Sequence, residues 1–239
     1  MNHSNPRVKN LQQRRTTVDA VQFGSTTSAE LSVPTRNTGT VILLTPMLSA
    51  GGGEAMSLAG MLNDRGLATL SVVLAHGDAH ALGTAALPAL ARRLADIADW
   101  TRSEPRVAGH PCGCLAAGFE GAVALMAASR RPRCLDALVI LNGRTDLVEP
   151  QLTLVEVPTL LVEERADEDG LQRARSALGA LPGDADLTPV AGLGEVVVAE
   201  SAYRAVADVA GRWFRQHFAA AADSPTWRID HEVAVGSRP

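Results

Sequence analysis

The segment HGDAH at residues 76–80 places two imidazoles on either side of a carboxylate. Imidazole nitrogens and carboxylate oxygens bind zinc or iron, and Asp167 or Glu195 could complete such a set of ligands. The spacing matches no established metal-binding signature, and histidines in an exposed loop are usually polar loop residues. We therefore predict no metal ion and no other cofactor, and we place His76 among the candidate ligand-binding residues.

Two glutamates, Glu120 and Glu195, could form a second reactive group. A buried carboxyl group has a raised pKa and can act as a general acid or base, for instance in a proton-transfer or cyclisation reaction. The alternative is that Glu120 occupies the first turn of a helix, where the helix dipole favours negative charge. Both interpretations stay open at the level of the sequence.

Two further segments could bind an anion. Residues 49–53 (SAGGG) open a predicted helix after a strand, as phosphate-binding loops do. No Gly-Lys-Ser/Thr follows, and Met56 stands where the third glycine of the dinucleotide fingerprint belongs, so nucleotide binding ranks below the other hypotheses. In residues 142–147 (NGRTDL), Arg144 could contact an anion, or it could brace the loop by pairing with Asp146.

Hydrophobic periodicity indicates the elements that position these side chains. Short apolar runs predict strands, and apolar residues at three- and four-residue steps predict helices. The predicted strands are 18–23, 29–33, 41–44, 67–74, 113–117, 135–141, 159–163 and 185–190. The predicted helices are 54–64, 84–102, 121–129, 169–181 and 199–218.

This alternation predicts an α/β fold with about eight mostly parallel strands and helices on both faces of the sheet. An antiparallel hairpin leads into the sheet at the N-terminal side. Ligands bind at the carboxyl ends of the strands in such sheets, so the loops that follow the strands are the expected location of a site.

The composition limits the classes of function that the protein can have. The 239 residues have a formal net charge of −4 and are 46% hydrophobic, so the chain can fill a core but lacks a basic field for nucleic acid or an anionic membrane. The longest apolar run is too short to span a bilayer. An odd set of three cysteines and no apparent secretory leader predict a cytoplasmic location. We expect buried, inert thiols, with Cys114 as a displaced nucleophile the alternative.

The chain divides into three predicted regions. Residues 1–16 form a flexible basic arm, 17–218 the α/β domain, and 219–239 a C-terminal tail. The arm is expected to be solvated, and a partner-binding role is the alternative. The tail could dock on the domain or on a second subunit, so a homodimer or another protein partner stays open.

From about Val18 to Phe218 the chain resembles the dienelactone hydrolase-like branch of the α/β-hydrolases. No single motif carries the resemblance, which rests on the order and spacing of several stretches. These are residues 66–75 (GLATLSVVLA), 90–113 (LARRLADIADWTRSEPRVAGHPCG), 121–132 (GAVALMAASRRP), 142–147 (NGRTDL), 155–164 (VEVPTLLVEE) and 212–214 (RWF). The resemblance implies an α/β-hydrolase fold and a Ser–His–Asp triad whose serine lies in a G-x-S-x-G elbow between a strand and a helix.

The positions that this resemblance assigns to the nucleophile and the base hold neither residue type. The nucleophile position falls on Gly118, or on Phe119 if the alignment shifts by one. The base position falls on Glu195, and no histidine lies between His110 and His217. Loss of the nucleophile or the base costs a serine hydrolase orders of magnitude in rate.

The acid position is retained at Asp167. An aspartate in so charged a segment (residues 163–169) is, however, more often a solvated loop or helix-start residue. Where the family has a His-Gly pair after its first parallel strand, this chain has TPM at residues 45–47. Since proline has no N–H, one donor of a backbone oxyanion hole is expected to be missing.

We therefore predict an α/β-hydrolase-like pseudoenzyme that binds a small molecule in the inherited pocket or acts as an assembly or regulatory partner. Its candidate ligand-binding residues are Thr45, Met47, His76, Phe119 and Arg144. The alternative is a hydrolase-family enzyme with a rebuilt site for acid–base or metal-assisted chemistry. The candidate catalytic residues of that enzyme are Asp167, Glu195 and Glu120, together with His76 and His80.

Overall fold

The computed structural model describes residues 16–23, 27–44, 58–74, 83–194 and 200–223. The strands are β1 (Thr16–Phe23), β2 (Thr27–Pro34), β3 (Thr40–Leu44), β4 (Ala68–Val72), β5 (Cys112–Ala117), β6 (Ala137–Leu141), β7 (Thr159–Glu164) and β8 (Ala185–Val190). The α-helices are α1 (Leu58–Asn63), α2 (Leu87–Ser103), α3 (Gly118–Arg130), α4 (Glu168–Ala180) and α5 (Glu200–Asp223). Within the described ranges, 3-10 segments cover Thr84–Ala86 and Thr145–Leu154.

All eight strands form one sheet in the order β1-β2-β4-β3-β5-β6-β7-β8. β1 pairs with β2 and β2 pairs with β4 in antiparallel fashion, and the remaining pairs are parallel. The predicted eight-stranded, mostly parallel sheet is therefore confirmed. Because the strands from β3 to β8 point the same way, the loops that follow them meet at one edge, which we call the carboxyl edge.

Helices cover both faces of the sheet, as predicted. α2, α3 and α4 pack over one hydrophobic core, and α1 and α5 pack over the other. β3 and β6 are buried along their whole length, as expected for parallel strands that are covered on both sides. Gly113 lets α5 approach β5 closely, because a β carbon there would lie 2.6 Å from the ring of Phe214.

Several element boundaries differ from the predicted ones, and three of these differences concern the turn at Gly118 and the ends of the domain. α3 begins at Gly118 rather than Gly121, so the strand-to-helix turn has no intervening loop. α5 continues five residues past Phe218, to Asp223, because the alanine run at 219–222 has the highest helix propensity. β1 begins at Thr16, the last residue of the predicted arm.

Other predicted features are only partly visible or were missed. The first residues of the predicted helix 54–64 lie outside the described part of the chain, which resumes at Leu58. The 3-10 segment Thr145–Leu154 was not predicted, and its turns meet at Val148 in a non-helical conformation. Within the described residues, no helix combines the length and apolarity needed to cross a membrane.

Candidate functional site

The turn between β5 and α3 can present a side chain at the carboxyl edge. Ala117 is extended, with φ of −121° and ψ of 151°, and Gly118 begins the helix with φ of +55°. This left-handed region costs a residue with a β carbon about 1–2 kcal/mol, and glycine avoids that cost. Apart from the adjacent residues and the backbone of its own helix, a β carbon built on Gly118 would meet no described heavy atom within 4 Å. The turn is therefore sharp, and the described residues leave that side uncovered.

Small residues let this turn pack against the loop that follows β6. A β carbon on Gly121 would lie 2.7 Å from Cγ2 of Ile140, and one on Gly143 would lie 2.3 Å from the same atom. The backbone N–H of Arg144 donates a 3.1 Å hydrogen bond to the carbonyl oxygen of Gly118. Backbone hydrogen bonding and close packing thus hold the turn without any side chain at Gly118.

The two residues after Gly118 have different surroundings. Phe119 is 2% exposed and belongs to the core under α2, α3 and α4. Its ring packs in the core, and its predicted ligand contact stays a prediction. Glu120 is half-buried in the first turn of α3, where the helix dipole favours its charge. The helix dipole therefore accounts for a glutamate at this position, and a catalytic role for Glu120 stays a prediction.

Arg144 braces its own loop. Its Nε lies 2.9 Å from Oδ1 of Asp146, and its Nη2 lies 2.7 Å from Oδ2. The hydrogen bonds of this bidentate pair lower the pKa of Asp146 and raise the pKa of Arg144. The structure therefore shows the loop brace that was the alternative to an unpaired, anion-binding Arg144.

Asp167 caps α4. One carboxylate oxygen accepts a 2.9 Å hydrogen bond from the N–H of Gly170, and the other lies 3.7 Å from Nη2 of Arg173. Aspartate is among the preferred residues at a helix N-cap, because its oxygen satisfies an N–H that has no partner within the helix. The helix-start interpretation therefore accounts for Asp167 without a catalytic role.

Glu163 is a buried carboxyl group that the sequence analysis did not single out. It lies in β7, is 1% exposed, and accepts a 3.2 Å hydrogen bond from the N–H of Gly143 through Oε1. Its Oε2 has no hydrogen-bond partner within the described part of the chain. Burial raises the pKa of Glu163 to about 7, against the lowering effects of the Gly143 N–H and Arg173. Glu163 could have been found in the sequence as a glutamate that continues an apolar strand.

Asn142 and Glu164 tie three loops together at the carboxyl edge. The side chain of Asn142 accepts a 2.8 Å hydrogen bond from the N–H of Glu164 and donates a 2.9 Å bond to the carbonyl oxygen of Leu193. The Glu164 carboxylate accepts from the N–H groups of Ala166 and Leu193. These bonds hold the loop after β8 beside the loop after β7, two residues before Glu195.

Several predicted site residues lie outside the described part of the chain. They are Thr45, Met47, His76, His80 and Glu195. Their roles as ligand contacts, metal ligands or base stay predictions. Where the chain is described, no group of three or more His, Cys, Asp and Glu side chains is arranged to hold a metal ion.

Both described histidines lie at the edge opposite the turn. His110 precedes β5, and Nε2 of His217 lies 3.7 Å from Oδ2 of Asp184, which precedes β8. Burial lowers the pKa of each imidazole, and the charge of Asp184 opposes this effect at His217. A strand of six residues, about 20 Å long, separates this edge from Gly118. Neither imidazole can therefore act as a base at the turn.

All three cysteines are buried and unpaired. Burial raises the pKa of Cys112 to about 12 and that of Cys134 to about 11, and it raises the pKa of Cys114 well above its ordinary value. Since the thiolate is the reactive form, these thiols are poor nucleophiles. The alternative in which Cys114 is a displaced nucleophile is not supported.

Solved structures resemble this arrangement over most of the chain. The dienelactone hydrolase of Anabaena variabilis is 28% identical, with a TM-score of 0.71 over 86% of this chain and 99% of its own. The chain has the α/β-hydrolase fold of the dienelactone hydrolase-like branch. An esterase from an Arctic intertidal metagenomic library shares the fold, at 17% identity and a TM-score of 0.59 over 85% of this chain and 93% of its own.

Curated relatives match a shorter part of this α/β-hydrolase fold. Two proteins of Mycobacterium tuberculosis strains, each provisionally named a phosphoribosyl transferase, are 33% identical over 128 residues. The match covers 54% of this chain but 29% of each relative, so it spans less than a third of their length. No protein-family profile matches the chain.

Proposed function

We propose that this protein of the dienelactone hydrolase-like fold binds a small molecule at the carboxyl edge and does not hydrolyse it. The observation that carries the proposal is Gly118, which keeps a left-handed φ of +55° at a strand-to-helix turn but has no side chain. A nucleophile elbow presents its reactive oxygen from such a turn. Glycine retains the backbone geometry and removes the attacking atom.

The histidine positions support the same proposal. The chain has no histidine between His110 and His217, and both of these lie at the opposite edge of the sheet. Loss of the nucleophile and the base costs a serine hydrolase several orders of magnitude in rate. We therefore expect no serine-hydrolase turnover.

The space in front of the turn favours ligand binding over a purely structural role. Beyond the adjacent residues and its own helix backbone, no described heavy atom lies within 4 Å of a β carbon placed on Gly118. Phe119, the large side chain next to it, packs in the core instead of filling that space. An open site with polar groups at its rim is typical of small-molecule binding. An assembly or regulatory role is the alternative, and it does not require this opening.

The test uses dienelactone and measures binding and ring opening separately. We expect saturable binding by calorimetry, with ring opening no faster than in buffer. Gly118→Trp should abolish binding by filling the space before the turn. Gly179→Trp is the matched control, because Gly179 of α4 also has open surroundings. Ring opening by the native protein would overturn the proposal, and failure to bind would favour the assembly role.

A second candidate function, acid–base catalysis in a rebuilt site, rests on Glu163. A carboxyl group that titrates near neutrality is suited to proton transfer. Its Oε2, however, lies 3.1 Å from the place of a β carbon on Gly170, behind the first turn of α4, and the side chain is 1% exposed. Glu163 is therefore better placed to position the loops than to touch a substrate. A reaction whose pH profile shifts in Glu163→Gln at unchanged KM would favour this candidate.

A further inference from the structure

A concave surface lies between α2 and α3, away from the carboxyl-edge turn. It encloses about 210 Å³ and is lined by Pro88, Ala91, Arg92, Ala95, Ala127, Arg130 and Arg131. We call this cavity the arginine groove. Arg130 follows Gly118 by twelve residues in α3, which places the groove about 18 Å along the helix axis from the turn. The groove is therefore separate from the site proposed above.

The arginine groove carries positive charge that the described chain does not neutralise. Arg131 forms ion pairs with Asp96 and Asp99 of α2. Arg92 and Arg130 are exposed, and neither forms an ion pair with a carboxylate in the described ranges. Two guanidinium groups without a described carboxylate partner thus face one cavity in a chain whose overall net charge is −4.

The lining between the arginines is small and apolar. Ala91, Ala95 and Ala127 are 1%, 3% and 1% exposed, and none of the described residues that line the cavity is acidic. Short methyl side chains leave room between the guanidinium groups. Charges that interact next to such a low-dielectric surface attract each other more strongly than charges in bulk water.

We propose that the arginine groove binds the phosphate of a small phosphorylated molecule. Arg92 and Arg130 approach the phosphate from the two helices, and Arg131 is held in place by Asp96 and Asp99. A guanidinium matches two phosphate oxygens at once, and a phosphate dianion matches two cations better than a single carboxylate does. The volume lies below the roughly 300–1,000 Å³ of pockets for drug-sized ligands, which suits a phosphate with a small organic group.

The test measures binding of inorganic pyrophosphate to the full chain by calorimetry, with malonate as a dianion of a different chemical class. We expect one pyrophosphate per chain and weaker binding of malonate. Arg92→Gln and Arg130→Gln should each weaken pyrophosphate binding about tenfold, and the double variant should remove it. Arg175→Gln is the matched control, because Arg175 is an exposed arginine on α4, outside the groove. That control should bind pyrophosphate like the native chain.

Amide chemical shifts distinguish binding in the arginine groove from a general effect of the protein's charge. Pyrophosphate should shift the amides of residues 88–95 and 127–131 and leave those around Gly118 unchanged. Because Arg92 and Arg130 are exposed, their glutamine variants should unfold at the native temperature. No binding of pyrophosphate, equal weakening by Arg175→Gln, or malonate binding as tight as pyrophosphate would each overturn the proposal.

Discussion

The N–H of Arg144 donates a 3.1 Å hydrogen bond to the carbonyl oxygen of Gly118, which joins the loop after β6 to the turn that begins α3. The neighbouring N–H of Gly143 donates to the buried carboxyl group of Glu163 in β7. Two hydrogen bonds therefore connect β7 to the turn through the loop that follows β6. These hydrogen bonds support a turn at which Gly118 has no side chain to orient.

Substitution of Gly118 should reveal the strain of the turn. Gly118→Ala should destabilise the protein by about 1–2 kcal/mol, because alanine is disfavoured at a φ of +55°. Gly179→Ala should stabilise it by about 0.5–1 kcal/mol, since Gly179 lies in the helix α4 with open surroundings. Urea unfolding of both variants checks the contrast. Equal changes in unfolding free energy for the two substitutions would show that alanine is tolerated at Gly118 without strain.

Glu163 should give the stability of the protein a distinct pH dependence. The folded pKa of about 7 lies above the ordinary value of 4.5, so the native state keeps a proton that the unfolded chain loses. The contribution of Glu163 to stability is fully present below pH 4.5 and falls as the pH rises to about 7, by about 3 kcal/mol in total. Above that range it stays constant.

Glu163→Gln tests this dependence. Glutamine mimics the protonated carboxyl group, so the variant should gain stability relative to the native protein between pH about 5 and about 8 in urea titrations. Glu168→Gln, in the exposed first turn of α4, controls for the loss of one carboxylate. A stability difference between Glu163→Gln and the native protein that does not change with pH would refute the assignment.

Asp167 should behave as a helix cap. Asp167→Ala removes the oxygen that accepts from the N–H of Gly170 and should cost about 1 kcal/mol of unfolding free energy. Asp167→Asn keeps a capping oxygen and should cost less, although it weakens the exposed contact with Arg173. Chemical denaturation distinguishes the two variants. If alanine were tolerated as well as asparagine, the cap would not stabilise α4.

The thiols should be unreactive in the native protein. Cys112, Cys114 and Cys134 are buried, and burial raises the pKa of each. Ellman's reagent should therefore label none of them before unfolding and all three after it. Stoichiometric labelling of one thiol in the native protein would restore Cys114 as a candidate nucleophile.

The fold could be predicted well from the sequence because buried parallel strands have continuous apolar runs of residues. The run at 135–141 and the strand β6 (Ala137–Leu141) agree closely for this reason. The 3-10 segment Thr145–Leu154 was missed because it has neither a period of two nor a sustained helical period. α5 extends beyond its predicted end because the alanine run at 219–222, part of the predicted tail, favours helix.

The candidate site was less predictable from the sequence, since it depends on contacts between distant segments. The order of the elements located the turn at Gly118, but nothing local indicated that Phe119 packs in the core. The hydrogen bond between Gly143 and Glu163 joins residues twenty positions apart, and its effect on the Glu163 carboxyl group appears only after folding. The groove between α2 and α3 likewise arises from the packing of two helices.

The central claim is tested most directly by intact-protein mass spectrometry after incubation with a fluorophosphonate, which labels activated serine nucleophiles. A protein whose turn carries Gly118 should keep its unmodified mass, while an active serine hydrolase treated in parallel gains one adduct. One stoichiometric adduct on the native protein, mapped to a residue at the carboxyl edge, would contradict the account.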